Sequence, residues 1–460
     1  MMNITTYNEK IKNILFYSVI FVVFFVFFYQ IHPIFPFDSD DWTYLTFRRL
    51  SIPYTGAYNP TKVLPEMLQP ISSTIAAYLL YPWMGDYIDS MALMYAITKA
   101  GAITVYVYVF RFLFSRIREG HSYIFVLLFL LCHFLVLSKG HNECDYLMND
   151  IDATSLFHYT IPNLLCFSIA MLLLFKDNML ENLPHFSSNM IIAFVFVMYC
   201  ALFSSLYANI MIVSVICSEI LFNYIRAYRS GRKGIISLAK DNKAKFIILC
   251  IWLFIVLVEL NGSRAVYLVD RHQSGLFSLI LQALANFKNQ SWHFPIVLAM
   301  GLCIILSFFY IKSDRRMMNI YAKLIISALI TFVFVILTES QAHPTLLMKG
   351  VICYSFMSFF IFLFTLSVLI LSERMVLVKY SLPICFCLLT STLLMHHKTF
   401  RDSAIYDKHT DYAYTIEEKR MMIKDVVSGI INASRERKDS VTINIPLFLP
   451  LSASWPRSFG

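Results

Sequence analysis

Apolar runs of about 15–25 residues recur eleven times along this chain, each close to the length a helix needs to cross the ~30 Å hydrocarbon core of a bilayer. By residue number they are 11–29, 90–114, 123–137, 160–175, 190–205, 207–225, 246–260, 294–311, 324–337, 351–372 and 380–395. Lipid offers no hydrogen bonds to a backbone, so a segment of this kind spans as a helix or not at all. Composition agrees: 58% of the residues are hydrophobic and only 15% are charged. That balance excludes a soluble multi-domain enzyme, a disordered chain and a disulfide scaffold. The expected fold is an all-α polytopic membrane protein with about 11 transmembrane helices.

Orientation follows from lysine and arginine in the short loops. With the N-terminus cytoplasmic, the inner loops hold nineteen such residues, seven of them between 226 and 245. The outer loops before residue 396 hold eight, spread over longer stretches. No small-residue cleavage site follows the first run, so it reads as an uncleaved anchor. The apolar stretches 71–83 and 275–286 are too short to span and are expected at the outer interface or packed on the bundle. Residues 190–225 would make a helix of about 54 Å if continuous, so a hairpin is placed at Ser204-Ser205. The net charge of +9 is then inner-loop charge facing anionic membrane lipids, with no nucleic acid implied.

Nine of the ten cysteines fall in apolar runs and only Cys144 in a polar loop, so no loop–loop disulfide is available. Charges inside the runs are few. Glu219 and Glu259 sit near helix ends, where snorkelling is the ordinary outcome. Lys99 lies nearer mid-helix, placed either to meet a lipid phosphate or to snorkel. Residues 1–395 form the membrane module, and 396–460 a small polar α/β element on the outer face. In that element, Thr415 through Glu418 has capping-box spacing ahead of Ile423, Val426, Val427 and Ile430, with Glu417, Lys424 and Asp425 facing away. Residues 441–445 alternate like a strand. His396, His397 and His409 match no metal-ligand spacing and read as solvated surface residues.

Chemistry is expected on the two long outer loops, 30–89 and 138–159, which carry ten acids against four bases. Asp38-Ser39-Asp40-Asp41-Trp42 places three carboxylates within four residues just beyond the first helix. Mutual repulsion raises the proton affinity of at least one, which suits general-base work on a hydroxyl unless a cation or divalent metal sits nearby. Trp42 is placed either to stack on a sugar ring or, more commonly for a rim tryptophan, to anchor the loop; Trp83 and Trp292 are read as belt anchors. Pro60 and Pro65 are expected to hold an extended segment that fixes Lys62 and Glu66, the lysine as a point charge for phosphate. Ordinary solvated charges on a structural crossover are the slightly favoured alternative. Arg48 and Arg49 have similar standing; Arg264, Arg271 and Lys349 are weaker phosphate candidates.

The stretch Phe37-Asp38-Ser39-Asp40-Asp41-Trp42 resembles the first-loop acidic motif of the GT-C superfamily of integral-membrane glycosyltransferases. Size, Phe-rich helices and a short outer C-terminal element are similar to the O-antigen-modifying glucosyltransferases of serotype conversion. The likeness in topology covers the whole chain, that in motif residues 37–66. It implies transfer of a sugar, glucose above all, from a polyprenyl-phosphate donor to a lipid-linked glycan on the periplasmic face of a bacterial inner membrane. The catalytic acid falls on Asp40 or Asp41, Asp40 first, with Asp38, Trp42, Arg48, Arg49, Lys62 and Glu66 around the substrates. The family's second-loop acid falls on Asp145, Asp150 or Asp152. Inversion of the anomeric carbon rests on the resemblance alone. An O-antigen polymerase or ligase is the nearest rival; a flippase would predict internal repeats and paired midplane charges, whereas the chain shows no repeat and almost no mid-membrane charge.

Overall fold

The computed structural model describes residues 4–37, 39–45, 61–117, 122–137, 146–150, 152–175, 179–231, 235–260, 275–290, 292–312, 314–376 apart from 343–348, scattered positions between 378 and 391, 405–406, 413–414 and 416–442. Among these, seven helices are long and apolar enough to cross a membrane. They are α1 (Ile4–Val26, prolonged by a π-helical turn, Phe27–Ile31), α5 (Tyr87–Ile117), α8 (Ile161–Phe175, reached through α7 and a π-helical turn described below), α10 (Leu206–Arg229), α14 (Phe294–Ile311), α15 (Arg315–Ala342) and α16 (Gly350–Arg374). Shorter apolar helices are α6 (Ser122–Leu135), α9 (Ser188–Leu202) and α13 (Leu276–Lys288); α11 (Ile235–Asp241) and α12 (Lys243–Leu260) lie between α10 and α13. The chain is a helical, multi-pass membrane protein. Residues 188–229 do break into two helices, with a turn at Phe203 to Ser205. Most of the run 380–395, and Arg264 and Arg271, lie outside the described residues.

Lipid is as apolar as leucine, so these helices associate through close packing and buried hydrogen bonds. α16 is the hub: it packs on α6, α8, α10, α14 and α15. Ser367 on it forms a buried triangle with Ser307 and Tyr321 (3.0–3.2 Å), tying three helices. Asn163 of α8 donates to the Val351 carbonyl at 2.7 Å. Phe110, Phe129, Phe167 and Phe362 stack in one buried cluster. Outward-facing Val19, Val22, Phe254, Ile305, Phe309 and Val333 are each more than half exposed, a surface that only lipid tolerates.

Glu219, read as snorkelling, and Lys99, read as meeting a lipid phosphate or snorkelling, are instead buried and paired within the protein. Lys99 is wholly buried and bonded to Asp150 at 2.5 Å. Glu219 is bridged by Lys245 at 3.3 Å and Lys323 at 3.4 Å, and Lys245 also reaches Glu181 at 3.2 Å. Trp292 folds onto Phe287, its indole N–H donating to the Phe287 carbonyl, whereas Trp83 is 91% exposed.

The segment expected to be extended around Pro65 is helical. α3 begins at Val63 and runs to Ile75, then continues through a π-helical turn (Ala76–Leu80) into α4 (Tyr81–Met84). Pro65 sits in the first turn, where a missing N–H removes no intrahelical bond.

Near the C-terminus, α17 (Ile416–Arg435) follows a minimal antiparallel pair, β1 (Ile405–Tyr406) with β2 (Ala413–Tyr414). Ile416 and Ile423 pack with Phe35, Phe37, Ile88 and Ala92. Lys424 does not simply face away, since it pairs with Asp86 and Asp89. Val441 and Thr442 are not in a strand; 443–445, Thr415 and the three C-terminal histidines lie outside the described residues.

Candidate functional site

Polar groups from both long loops meet at one end of the bundle. A short helix, α2 (Ser39–Tyr44), carries Asp41 inward until its carboxylate is fully buried. Oδ2 accepts the Phe37 N–H at 2.7 Å, and Oδ1 accepts both the N–H and the hydroxyl of Thr154 at 2.6 Å. Thr154 belongs to α7 (Ala153–Ser155), which Asp152 caps by accepting the Ser155 N–H at 2.5 Å. A π-helical turn (Leu156–Thr160) then leads into α8.

Asp41 and Asp152 therefore converge from separate loops. Burial first, and the Asp152 charge second, hold the Asp41 carboxyl well above the usual range, against the three hydrogen bonds it accepts. Burial also raises Asp152, opposed by Ser155 and by the ammonium of Lys349. Lys349, the residue before α16, is also within electrostatic reach of Glu339, to which Tyr207 donates a hydrogen bond.

Below this pair Asp150 is held by Lys99 and by the Thr160 hydroxyl at 2.5 Å. The Lys99 ammonium also donates to the Met148 carbonyl at 2.8 Å and lies 3.8 Å from the centre of the Phe28 ring. Burial and the nearby Lys99 charge hold His32 neutral, its pKa lowered to about 3. The second loop reaches this depth because Gly350 has no side chain; a methyl group there would lie 2.6 Å from the Tyr146 carbonyl oxygen.

Helix α3 covers the site with its polar side inward. Glu66, Gln69, Ser72 and Ser73 are buried, and Ile71, Tyr78 and Leu79 are exposed. The Ser73 hydroxyl lies 2.7 Å from that of Tyr95, itself within electrostatic reach of Asp41. The three π-helical turns all adjoin this end, a local irregularity frequent at functional sites.

Asp41 and Glu66 are thus buried at this end. Lys62 is half-buried at the start of α3, and Trp42 is half-buried against the Phe35–Phe37 cluster rather than out at a rim. Asp40 lies on α2, but its side chain, like all of Asp38, Arg48, Arg49 and Asp145, is outside the described residues. Of the three competing second-loop acids, Asp152 stands beside Asp41 and Asp150 is taken by Lys99. The Asp-Ala-Thr-Ser run at 152–155 carried a helix-capping signal for this junction, and a mid-span lysine facing a loop aspartate a signal for the ion pair. Tyr95, Gln69 and Glu339 gave none. Among the described residues no three His, Cys, Asp or Glu side chains stand together as a metal site.

No protein-family model, no curated protein and no solved structure matches this chain.

Proposed function

We propose that the protein is a polyprenyl-phosphate-dependent glycosyltransferase of the GT-C kind. In this reading the bundle makes about eleven crossings of a bacterial inner membrane, with the N-terminus cytoplasmic and the Asp41 end facing the periplasm. The observation that carries it is the buried Asp41 carboxylate beside half-buried Asp152, beneath an inward-facing polar helix, on a bundle whose outer surface is apolar. No nucleotide-sugar pool exists beyond the inner membrane, so a transferase there needs a lipid-borne donor.

Two neighbouring carboxylates with raised proton affinity favour sharing one proton, which leaves one charge between them. That charge is the base, with Asp41 in the role by its place in the motif and Asp152 as its partner; Asp40 is the alternative from the same motif. The base takes a proton from a hydroxyl of the lipid-linked glycan. The freed oxygen bonds to the anomeric carbon as the bond to phosphate breaks, its electron pair leaving with the polyprenyl phosphate. Lys62, at the start of α3, and Lys349 are assigned to meet that charge, with Arg48 and Arg49 further candidates from the first loop. A single displacement inverts the anomeric carbon.

The test is the mass of the O-antigen repeat unit in cells that supply polyprenyl-phosphate glucose. One added hexose per repeat is expected with the wild-type protein, lost in Asp41→Asn protein that still reaches the membrane. Unchanged repeat mass with altered chain length would move the assignment to a polymerase.

A further inference from the structure

α3 is an amphipathic helix turned to suit lipid outside and a polar ligand inside. On its buried face Gln69 is 0% exposed, and among the described residues neither its amide oxygen nor its amide nitrogen has a hydrogen-bond partner. One turn on, the hydroxyl of Ser72, 1% exposed, has none among them either. Polar groups this deeply buried are nearly always paired, because each one left unpaired opposes folding. Two on one helix face are therefore a built feature of the site.

Their position is fixed from both ends. Gln69 and Ser73 are one helical turn apart on the same face, and the Ser73 hydroxyl donates to the Gln69 carbonyl at 2.8 Å while meeting Tyr95 at 2.7 Å. The helix packs against α2, α5 and the π-helical turn after α7, the three elements that carry Asp41, Tyr95 and the approach to α8. The unpaired groups thus lie along the roof of the carboxylate pair.

Their chemistry selects a ligand. A primary amide offers donors and an acceptor together, and a serine hydroxyl does the same. A phosphate accepts hydrogen bonds only, so the amide oxygen gives it nothing. A sugar ring, whose hydroxyls both donate and accept, satisfies all of these groups. We propose that Gln69 and Ser72 are the sugar-reading subsite, hydrogen-bonding ring hydroxyls of the transferred pyranose and thereby setting which sugar is accepted. This rests on the glycosyl-transfer reading and names the part of the donor that α3 recognises.

The experiment uses the full chain in lipid nanodiscs and measures binding of decyl phosphate and of the decyl phosphates of glucose, galactose and mannose, together with melting of the ligand-free protein. Wild type is expected to prefer one glycosylated probe over bare decyl phosphate. Gln69→Met and Ser72→Ala should each narrow that preference about tenfold, the scale of one buried hydrogen bond, and leave bare decyl phosphate binding unchanged. Ligand-free Gln69→Met should melt no lower than wild type, since methionine removes an unpaired amide at similar volume. A lower melting point would show a structural amide and overturn the proposal, as would variants that keep the full preference. Wild type that fails to distinguish any sugar probe from bare decyl phosphate would instead sink the glycosyl-transfer reading, and this subsite with it.

Discussion

Buried charge is handled in opposite ways at the two ends of one helix pair. α10 and α15 run antiparallel, Tyr207 meeting Glu339 at one end and Glu219 meeting Lys323 about 18 Å along α10. At the Glu219 end two carboxylates, Glu219 and Glu181, meet two ammonium groups, Lys245 and Lys323, and Asn242 joins the same network. Among the described residues the charges balance there, and the cluster staples three helices and a loop. At the other end Asp41 lies beside Asp152, and Lys349 is a cation within electrostatic reach of both Asp152 and Glu339, with Lys99 committed to Asp150. A balanced cluster serves stability, and the contrast marks the Asp41 end as the place where the proposed chemistry would sit.

Breaking each end should give contrasting results. Asp41→Asn should lower sugar transfer by about 10²–10⁴-fold, the usual scale of a general base, measured as hexose added per repeat against protein in the membrane. Lys245→Met leaves Glu219 and Glu181 short of a buried partner and should cost about 3–5 kcal/mol in a melting experiment, with transfer per folded molecule unchanged. If Lys245→Met instead abolished transfer in folded protein, the division between the ends would fail.

Proton linkage sharpens the contrast. Asp41 and Asp152 have proton affinities raised by folding, so the folded state holds protons that the unfolded chain releases. Their ionisation is unfavourable only in the folded state, so their contribution to stability is greatest below about pH 4 and falls as pH rises from there through the raised range. Each tenfold gain in proton affinity on folding corresponds to a fall of about 1.4 kcal/mol. Melting followed against pH should show this decline, and Asp41→Asn should flatten it. The smallest effect is expected where α17 meets the rim. Arg420 donates to Asp89 at 2.6 Å from partly exposed positions, so Arg420→Ala should cost about 1 kcal/mol or less, and less again in high salt.

The sequence made some of this plain for reasons that trace to the solvent. A spanning helix has to be apolar over a bilayer's thickness, and the runs at 90–114, 207–225 and 351–372 all lie within long helices. The hairpin near Ser204 followed from length alone, and the buried stripe of α17 from the spacing of Ile423 and Val426. Long-range meetings were not legible. Asp41 and Thr154 are 113 residues apart, and no local pattern says that one loop will hydrogen-bond the other. Charged residues inside spans were misread because snorkelling depends only on depth, whereas burial of Lys99 depends on a partner arriving from another loop. The stretch 71–83 was expected to pack on the bundle or lie at its interface, but the first half of α3 was missed because two prolines suggest an extended chain, although Pro65 falls in the one turn that tolerates it. Its inward polar face was hidden as well, since an amphipathic pattern does not state which side meets lipid.

The packing of α17 on Phe37 sets an order of events during synthesis. Asp89 and Arg420 are separated by 331 residues, roughly 15–70 s of ribosomal elongation. Throughout that interval the strand of chain that hands its Phe37 N–H to Asp41 lacks the Ile416–Ile423 surface that finally covers it. Asp41 can meet Phe37 and Thr154 long before that cover is synthesised. A translation product halted before α17 would keep those hydrogen bonds and lack the apolar cap over Phe37.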